Sequence, residues 1–257
     1  MKRLKSSKIL PLLVIGALLA VWEILVRIRE IPLYVLPAPS KVFLCFGQEL
    51  LPLLEHAKYT VAEALIGMGI ALGIAVVLGI LMDALPVLKT CIYPILVVTQ
   101  TVPVIVLAPI IIIYLGFGWA PKILITVLMC FFPIVVSFTD GMSQADEGYG
   151  NLLKTYGGTR LQLYGMVKIP AAMISLLSGL KVAATYCISG AVVGEWIASQ
   201  SGLGYYLIRA KNSYMLDKVF ACVLMIIILS LLLNGAVKLF YYCAVPSERK
   251  KRRDPEA

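Results

Sequence analysis

The chain has 257 residues, of which 60% are hydrophobic and 14% are charged, and its mean hydropathy is +0.92. These values exclude an ordinary water-soluble globular protein, whose composition is about 45–50% apolar and about 25% charged. The formal charge of +9 does not indicate nucleic-acid binding, because the basic residues cluster at the two termini beside apolar segments. The composition predicts an all-α, polytopic membrane protein.

About six segments are long and apolar enough to span a bilayer, which takes about 20 mainly apolar residues each. In chain order the predicted spans are Ile9–Val26, Tyr59–Met82, Thr90–Leu115, Lys122–Phe138, Pro170–Trp196 and Val219–Cys243. The predicted organisation is therefore a tail over 1–8, a first transmembrane helix over 9–28, an external segment over 29–58, a core domain over 59–243 with a polar loop over 139–169, and a basic tail over 244–257.

Basic residues outside the first and last spans set the predicted orientation. Four of them precede the first span and five follow the last, at Lys2, Arg3, Lys5, Lys8 and 249–253. Lys and Arg next to a span favour the cytoplasmic side, so we expect both termini and the polar loop over 139–169 to be cytoplasmic. A cleaved signal peptide is the alternative interpretation of the first segment and would leave five spans; we favour retention of this segment.

The third predicted span is interrupted by Pro94, Pro103 and Pro109 and holds Gln100 near its middle. Proline frees backbone carbonyls, and at membrane depth free carbonyls are tolerated only where protein or a water-filled cavity surrounds the backbone. We therefore predict that Gln100, Pro103 and Pro109 line a pathway.

Two ionisable residues lie in the fifth predicted span. A charge at the bilayer centre costs at least about 2.5 kcal/mol, so Lys181 should face the bundle interior or extend its amine inward, and a role in translocation stays open. Glu195 lies near the outer end, where a solvated helix end and a pathway lining are both open. Both residues are candidates for the pathway. Six isolated cysteines and one histidine predict no metal site.

The polar loop over 139–169 has the pattern of two short helices joined at a sharp corner. Leu152, Leu153 and Tyr156 form an apolar stripe on the first helix, and Gly157 supplies a residue that is free to adopt a positive φ. An apolar face beside a corner is suited to docking against another protein.

The segment after the corner has the signals of a helix start. Thr159 followed three residues later by Gln162 is a capping-box pattern. Pro170 suits the first turn of the next span, where the missing N–H costs little. The pattern thus predicts a second short helix that leads into the fifth span.

At this loop the sequence resembles the integral membrane permeases of bacterial ABC importers. Their loop carries a Glu-Ala-Ala segment, a glycine six residues after the Glu, and an Ile/Val-x-Leu-Pro ending. Gly157 and the ending Val167-Lys168-Ile169-Pro170 match, whereas Asn151-Leu152-Leu153 replaces Glu-Ala-Ala. With the segments over 100–118 and 131–133, the resemblance covers roughly residues 37–242 and favours the nitrate, taurine, sulfonate and thiamine-precursor branch.

The resemblance implies a type I ABC importer permease in the bacterial cell (inner or plasma) membrane. It further implies a second permease copy forming a homodimer, two ATPase subunits that bind ATP and Mg in place of this chain, and an extracytoplasmic solute-binding protein. The runs Gly179–Tyr186 and Gly190–Trp196 look more like permeases for thiamine-pyrimidine precursors or riboflavin than like those for sulfonate, taurine or nitrate. The residues implied to meet the ATPase are Asn151, Leu152, Leu153, Tyr156, Gly157, Gly158, Thr159, Arg160 and Pro170.

The sequence lacks a Gly-rich phosphate loop ending in Gly-Lys-Ser/Thr and the common hydrolase motifs, so no enzymatic activity is expected in the chain itself. Two other functions are alternatives to an importer permease: a secondary transporter and a membrane scaffold. A secondary transporter driven by an ion gradient would show inverted repeats and ionisable pairs near the midplane, and Lys181 has no evident acidic partner at its depth. A membrane scaffold without a transport path would keep Gln100, Pro103 and Lys181 dry.

Overall fold

The computed structural model describes residues 2–244, without the side chains of residues 2–9, 12, 147, 154, 198 and 244. The basic cluster at 249–253 lies outside the described residues. Every regular element within residues 2–244 is a helix. The elements are α1 (Lys2–Ile28), α2 (Pro39–Gln48), α3 (Leu50–Ala84), α4 (Pro86–Thr99), α5 (Val104–Leu115), α6 (Trp119–Ser143), α7 (Glu147–Thr155), α8 (Arg160–Leu163), a π-helical turn (Tyr164–Lys168), α9 (Ile169–Ala198), α10 (Leu203–Asn212) and α11 (Leu216–Ala244).

Within the described residues, four helices are long and apolar enough to cross a membrane: α3, α6, the continuous helix over Arg160–Ile197 and α11. The pair α4 and α5 adds a fifth if this bent pair forms one span. The predicted first span falls on α1, a helix of 27 residues whose exposed side chains between Leu13 and Ile28 are largely apolar. The sixth span remains a prediction that rests on α1.

The third predicted span, Thr90–Leu115, is not one helix. It is split into α4 and α5, whose axes differ by 103°. The break falls at Pro103, which adopts an extended conformation with ψ 123° at the start of α5, because proline lacks an N–H and disfavours helical geometry in the residue before it. Pro94 and Pro109 lie inside α4 and α5 and do not break them.

Two other predicted boundaries differ from the structure. α3 begins at Leu50 instead of Tyr59, so the end of the predicted external segment belongs to a core helix. α6 continues to Ser143, so the polar loop begins at Gln144 and not at Thr139. Both helices extend beyond their apolar windows, because helical hydrogen bonding continues into the polar residues at the membrane surface.

The core is formed by α3, α6 and α9, with α9 packed against both of the others. Glycines allow these helices to approach closely. A Cβ atom at Gly79 of α3 would lie 2.7 Å from the Phe138 ring, and one at Gly179 of α9 would lie 2.6 Å from the Pro133 carbonyl oxygen. Small residues at such contacts are the usual means of packing helices in lipid, where van der Waals contact provides much of the stabilisation.

The helix bundle has two distinct ends. We call the end that carries α7 and α8 the loop end, and the end that carries α2 and α10 the distal end. α10 packs on α9, α11 and α3, and α2 packs on α11 and α1. α3 and α9 each run from one end of the bundle to the other, so both can connect events at the two ends.

Candidate functional site: the polar loop and the exposed face of α9

The corner of the polar loop is made by two successive glycines with different roles. Gly157 has φ +76°, the left-handed conformation expected from the sequence. Gly158 packs against the end of α7: its N–H donates to the Leu153 carbonyl oxygen at 2.8 Å, and a Cβ atom at Gly158 would lie 2.8 Å from that oxygen. Gly157 is required because the backbone adopts a positive φ there, and Gly158 is required because a side chain would clash with Leu153.

The predicted capping box is present after the corner. The Gln162 N–H donates to Thr159 Oγ1 at 3.3 Å, and the Thr159 N–H donates to Gln162 Oε1 at 2.8 Å. The helix that starts here does not end as a separate short helix. α8 continues through the π-helical turn into α9, and Pro170 lies in the first turn of α9, so the corner is joined to a membrane-length helix without a break.

α7 and the residue that follows it, Tyr156, present an apolar surface beside the corner. Tyr156 is 82% exposed and Leu152 is 53% exposed. Asn151, which occupies the position of the family's Glu, and Arg160 are also exposed. A cleft of about 510 Å³ is lined by Asp146, Tyr149, Leu152, Leu153, Tyr156, Met166, Val167 and Ala171. Large apolar side chains that are exposed together around a cleft are typical of an interaction surface.

The loop is attached to α3 through Asp83. Asp83 Oδ2 accepts hydrogen bonds from the Tyr164 hydroxyl and from Lys168 Nζ, each at 2.6 Å. Both donors belong to the π-helical turn, and π-helical segments occur often at functional sites. Asp83 is not among the residues predicted from the sequence, although an acid at the end of an apolar span was a visible signal.

A polar stripe runs along the exposed face of α9. Ser178, Thr185 and Ser189 are exposed and Lys181 is half-buried; their spacing of three, four and four residues places them on one helix face. The Asn234 amide of α11 donates to Thr185 Oγ1 at 3.0 Å. The sequence analysis identified only Lys181 in this stripe, although the 3.6-residue period of polar residues could have revealed the rest.

The amine of Lys181 lies 2.9 Å from the centre of the Tyr241 ring, near the end of α11 on the loop side. A cation over an aromatic face is stabilised electrostatically. Lys181 therefore extends toward the loop end. Gln100, Pro103 and Pro109 are exposed on the surface of the single chain.

The structure gives Glu195 a different place from the predicted pathway lining. Glu195 is 1% exposed, and its two carboxylate oxygens accept hydrogen bonds from Thr60 Oγ1 at 2.7 Å and from the Gly204 N–H at 2.6 Å. Gly202 packs so closely that a Cβ atom there would overlap the Glu195 carboxylate. In this structure Glu195 holds the turn between α9 and α10 and does not face open space.

A buried ion pair lies beside this turn. Lys122 of α6 donates to Glu63 of α3, and Lys122 Nζ also donates to Ser199 Oγ at 3.2 Å. Both charged side chains are almost completely buried. The sequence analysis missed the pair, because its members are far apart in the chain and only packing brings them together.

Over residues 69–242 the chain matches the family described as binding-protein-dependent transport system inner membrane component. The chain belongs to this permease family. It is 32% identical over 234 residues to a probable ABC transporter permease of Haemophilus influenzae, with 91% of this chain and 96% of the relative covered. It is 33% identical over 246 residues to the formylaminopyrimidine transport permease ThiX of Halalkalibacterium halodurans, with 94% and 96% covered.

The permease also shares its fold with a solved structure. It superposes with a TM-score of 0.67 on the MetNI methionine ABC transporter in an inward-facing conformation, at 15% identity, covering 77% of this chain and 98% of the other. The predicted family and the type I importer fold are thus confirmed. The chain is a multi-pass membrane protein and the permease of an ABC importer for small solutes.

In the permease, α10 is held at the distal end by a polar contact outside the spans. Glu49, between α2 and α3, accepts from the Tyr206 hydroxyl at 2.9 Å and pairs with Lys218 at 2.7 Å. The hydrogen bond from Lys218 lowers the pKa of Glu49, and burial raises the pKa of Tyr206. At neutral pH the carboxylate is ionised and the phenol is neutral, which is the pairing that this contact requires.

Proposed function

We propose that this permease imports a neutral aromatic heterocycle, of the thiamine-pyrimidine precursor or riboflavin-like class, with a sulfonate, taurine or nitrate-type anion as the second choice. The formylaminopyrimidine permease is similar over nearly the whole chain. The exposed stripe of α9 also favours this choice, because it offers hydroxyl groups, and its one amine, that of Lys181, lies against the Tyr241 ring. An anion would need a more accessible positive charge.

The polar loop is proposed to contact a separate ATPase subunit, which holds ATP and Mg. The transporter would contain two permease copies, two ATPases and an extracytoplasmic solute-binding protein. The loop end and both termini would then be cytoplasmic, and the distal end would face the binding protein. The exposed apolar face of α7 and its cleft support the loop assignment, since a partner that covers Leu152 and Tyr156 would remove apolar surface from water.

The observation that carries the coupling proposal is the attachment of the loop at two points. The helix that begins at Arg160 runs without interruption into α9, so displacement of the corner moves α9 directly. The bonds from Tyr164 and Lys168 to Asp83 join the same turn to α3. Movement of the ATPase would thereby tilt two core helices together, and the path would open alternately to the two sides of the membrane.

The coupling role is tested by substituting Gly157. Gly157→Val places a β-branched residue at φ +76°, which costs about 1–3 kcal/mol and distorts the corner. We expect loss of ATPase co-purification and at least a tenfold decrease in uptake. The control is Gly235→Val in α11, where no other atom lies within 4 Å of the added Cβ atom. Full uptake and full co-purification with Gly157→Val would refute the assignment of the loop.

The pathway is tested by thiol labelling. In a background with the exposed Cys91 and Cys243 replaced by serine, Ser189→Cys should react with a water-soluble thiol reagent if α9 lines a wet path. Val77→Cys on α3 is the matched control, because Val77 is exposed among apolar neighbours. Equal and slow reaction at both positions would indicate that the α9 face meets lipid or dry protein.

A further inference from the structure

A second pocket lies at the distal end, between the α5–α6 turn and the segment that follows α9. Its volume is about 440 Å³, which is within the range that holds a small organic molecule. Ile197 contributes to it from the exposed side of α9, about two turns beyond Ser189, so the pocket lies at the distal end of the α9 helix that carries the polar stripe. The lining residues are Phe117, Gly118, Trp119, Lys122, Ile197, Ser199, Gln200 and Ser201.

Two aromatic residues, Phe117 and Trp119, line this pocket. Phe117 is 81% exposed, and Trp119 is also exposed. The residues on either side of Phe117, Gly116 and Gly118, have φ +72° and +129°, so the backbone turns sharply around this ring. Gly118, between these two residues in the chain, contributes no side chain, and no other atom lies within 4 Å of a Cβ atom placed there. Flat aromatic ligands are favoured in such a place by stacked or edge-to-face contacts.

The remaining lining residues carry no unpaired charge, and Lys122 Nζ lies 5.5 Å from the centre of the Trp119 ring. Lys122 is the only ionisable residue among the eight described lining residues, and it is 3% exposed and paired with Glu63. Its amine also donates to Ser199 Oγ, which in turn donates to the Ser201 carbonyl oxygen. The exposed Gln200 amide provides both a donor and an acceptor at the rim. The pocket thus combines aromatic faces with neutral hydrogen-bonding groups.

We propose that this pocket is an entry subsite that binds a neutral aromatic heterocycle at the distal mouth before the solute reaches the exposed face of α9. The proposal rests on the proposed function, because that function makes the distal end the side from which solute arrives. A small anion such as a sulfonate is disfavoured, since the positive charge beside the pocket is already compensated by Glu63.

A membrane-interface belt is the competing explanation for the two rings, because aromatic residues are enriched where helices meet the headgroups. A belt residue needs only an apolar or amphipathic side chain, whereas a stacking residue needs an aromatic face. Phe117→Leu removes the ring and keeps the apolar character, and Phe117→Tyr keeps the ring. Tyr34→Ala is a matched control, because Tyr34 is an exposed aromatic residue that does not line the pocket.

The chain has three tryptophans, and Trp22→Phe with Trp196→Phe leaves Trp119 as the single tryptophan, which can be excited selectively over the tyrosines. Full-length protein in liposomes would be titrated with formylaminopyrimidine and, separately, with taurine. We expect saturable quenching by the pyrimidine only, an affinity about 3- to 10-fold weaker in Phe117→Leu, and no change in Phe117→Tyr or Tyr34→Ala. Absence of saturable quenching, equal quenching by taurine, or an unchanged affinity in Phe117→Leu would each overturn the subsite.

The subsite and the coupling loop can fail separately, because they lie at opposite ends of the bundle. If quenching is absent while uptake remains dependent on ATP and on Gly157, the subsite is wrong and the coupling proposal stands. If quenching is present while Gly157→Val retains full coupling, the loop assignment is wrong and the pocket remains a binding site.

Discussion

Asp83 provides the sharpest test of how the loop moves the core. Asp83→Ala removes the acceptor shared by Tyr164 and Lys168 and leaves the apolar face of α7 untouched. The side chain of Asp83 is 9% exposed and that of Lys168 is 26% exposed. Both donors, Tyr164 and Lys168, are only partly buried, so the substitution lets each of them return partly to water.

The size of the effect follows from these contacts. A hydrogen bond to a charged group contributes about 1.5–3 kcal/mol, and the partial exposure of Lys168 reduces the sum for the two bonds. We estimate a cost of about 2–4 kcal/mol, which changes the ratio of attached to detached loop by roughly 30- to 700-fold at 1.4 kcal/mol per tenfold. Tyr164→Phe removes one of the two bonds to the carboxylate and should cost about 1.5 kcal/mol, or roughly tenfold.

The assay is solute uptake and ATP hydrolysis measured on the same reconstituted transporter. For Asp83→Ala we expect ATPase subunits to co-purify normally, ATP hydrolysis within about twofold of wild type, and at least a tenfold fall in solute imported per ATP. Asp140→Ala is the control, since Asp140 is an acid near the loop end of α6 outside this contact. An unchanged ratio of uptake to hydrolysis in Asp83→Ala would refute the transmission of movement through α3.

Two further substitutions test the distal end. Gly202→Ala should lower the Tm of the purified protein by several degrees, because the added methyl group would overlap the Glu195 carboxylate and Gly202 has φ +102°. The control is Gly73→Ala, which should leave the Tm unchanged because no other atom lies within 4 Å of the added Cβ atom. Equal Tm values for the two variants would contradict the packing around Gly202. Glu63→Gln removes the ion-pair partner of the buried Lys122 and should cost about 3–5 kcal/mol in unfolding experiments. A loss below about 1 kcal/mol would mean that water or the nearby Glu195 compensates the charge of Lys122.

The sequence predicted the corner of the loop in detail because its determinants are local. A positive φ at Gly157 and a capping box between Thr159 and Gln162 depend on residues within one or two turns of each other. The long apolar helices were predictable for the same reason. The break between α4 and α5 was only partly predictable. Any of three prolines could have interrupted this span, and in the structure the break falls at Pro103.

The contacts that join the helices could not be predicted in the same way. Asp83 meets Tyr164 and Lys168 across more than 80 positions of sequence, and a single sequence gives no measure of which distant polar residues will pair. The position of Glu195 near the outer end left a solvated helix end and a pathway lining both open, and its burial could not be predicted because it depends on the turn at Gly202 packing over it. An acid in an apolar helix indicated that Glu195 must have polar partners, but the sequence did not show which partners these are.

Two polar contacts connect α3 to the helix that contains α9, one at each end of the bundle, and they differ in strength. At the distal end Thr60 and Glu195 are both buried, so their hydrogen bond is shielded from water. At the loop end Lys168 is partly exposed, and water competes for the bond to Asp83. The contact at Asp83 is therefore the weaker of the two. While both contacts hold, α3 and α9 move together, and the strength of the Asp83 contact limits the force that the loop can transmit to α3.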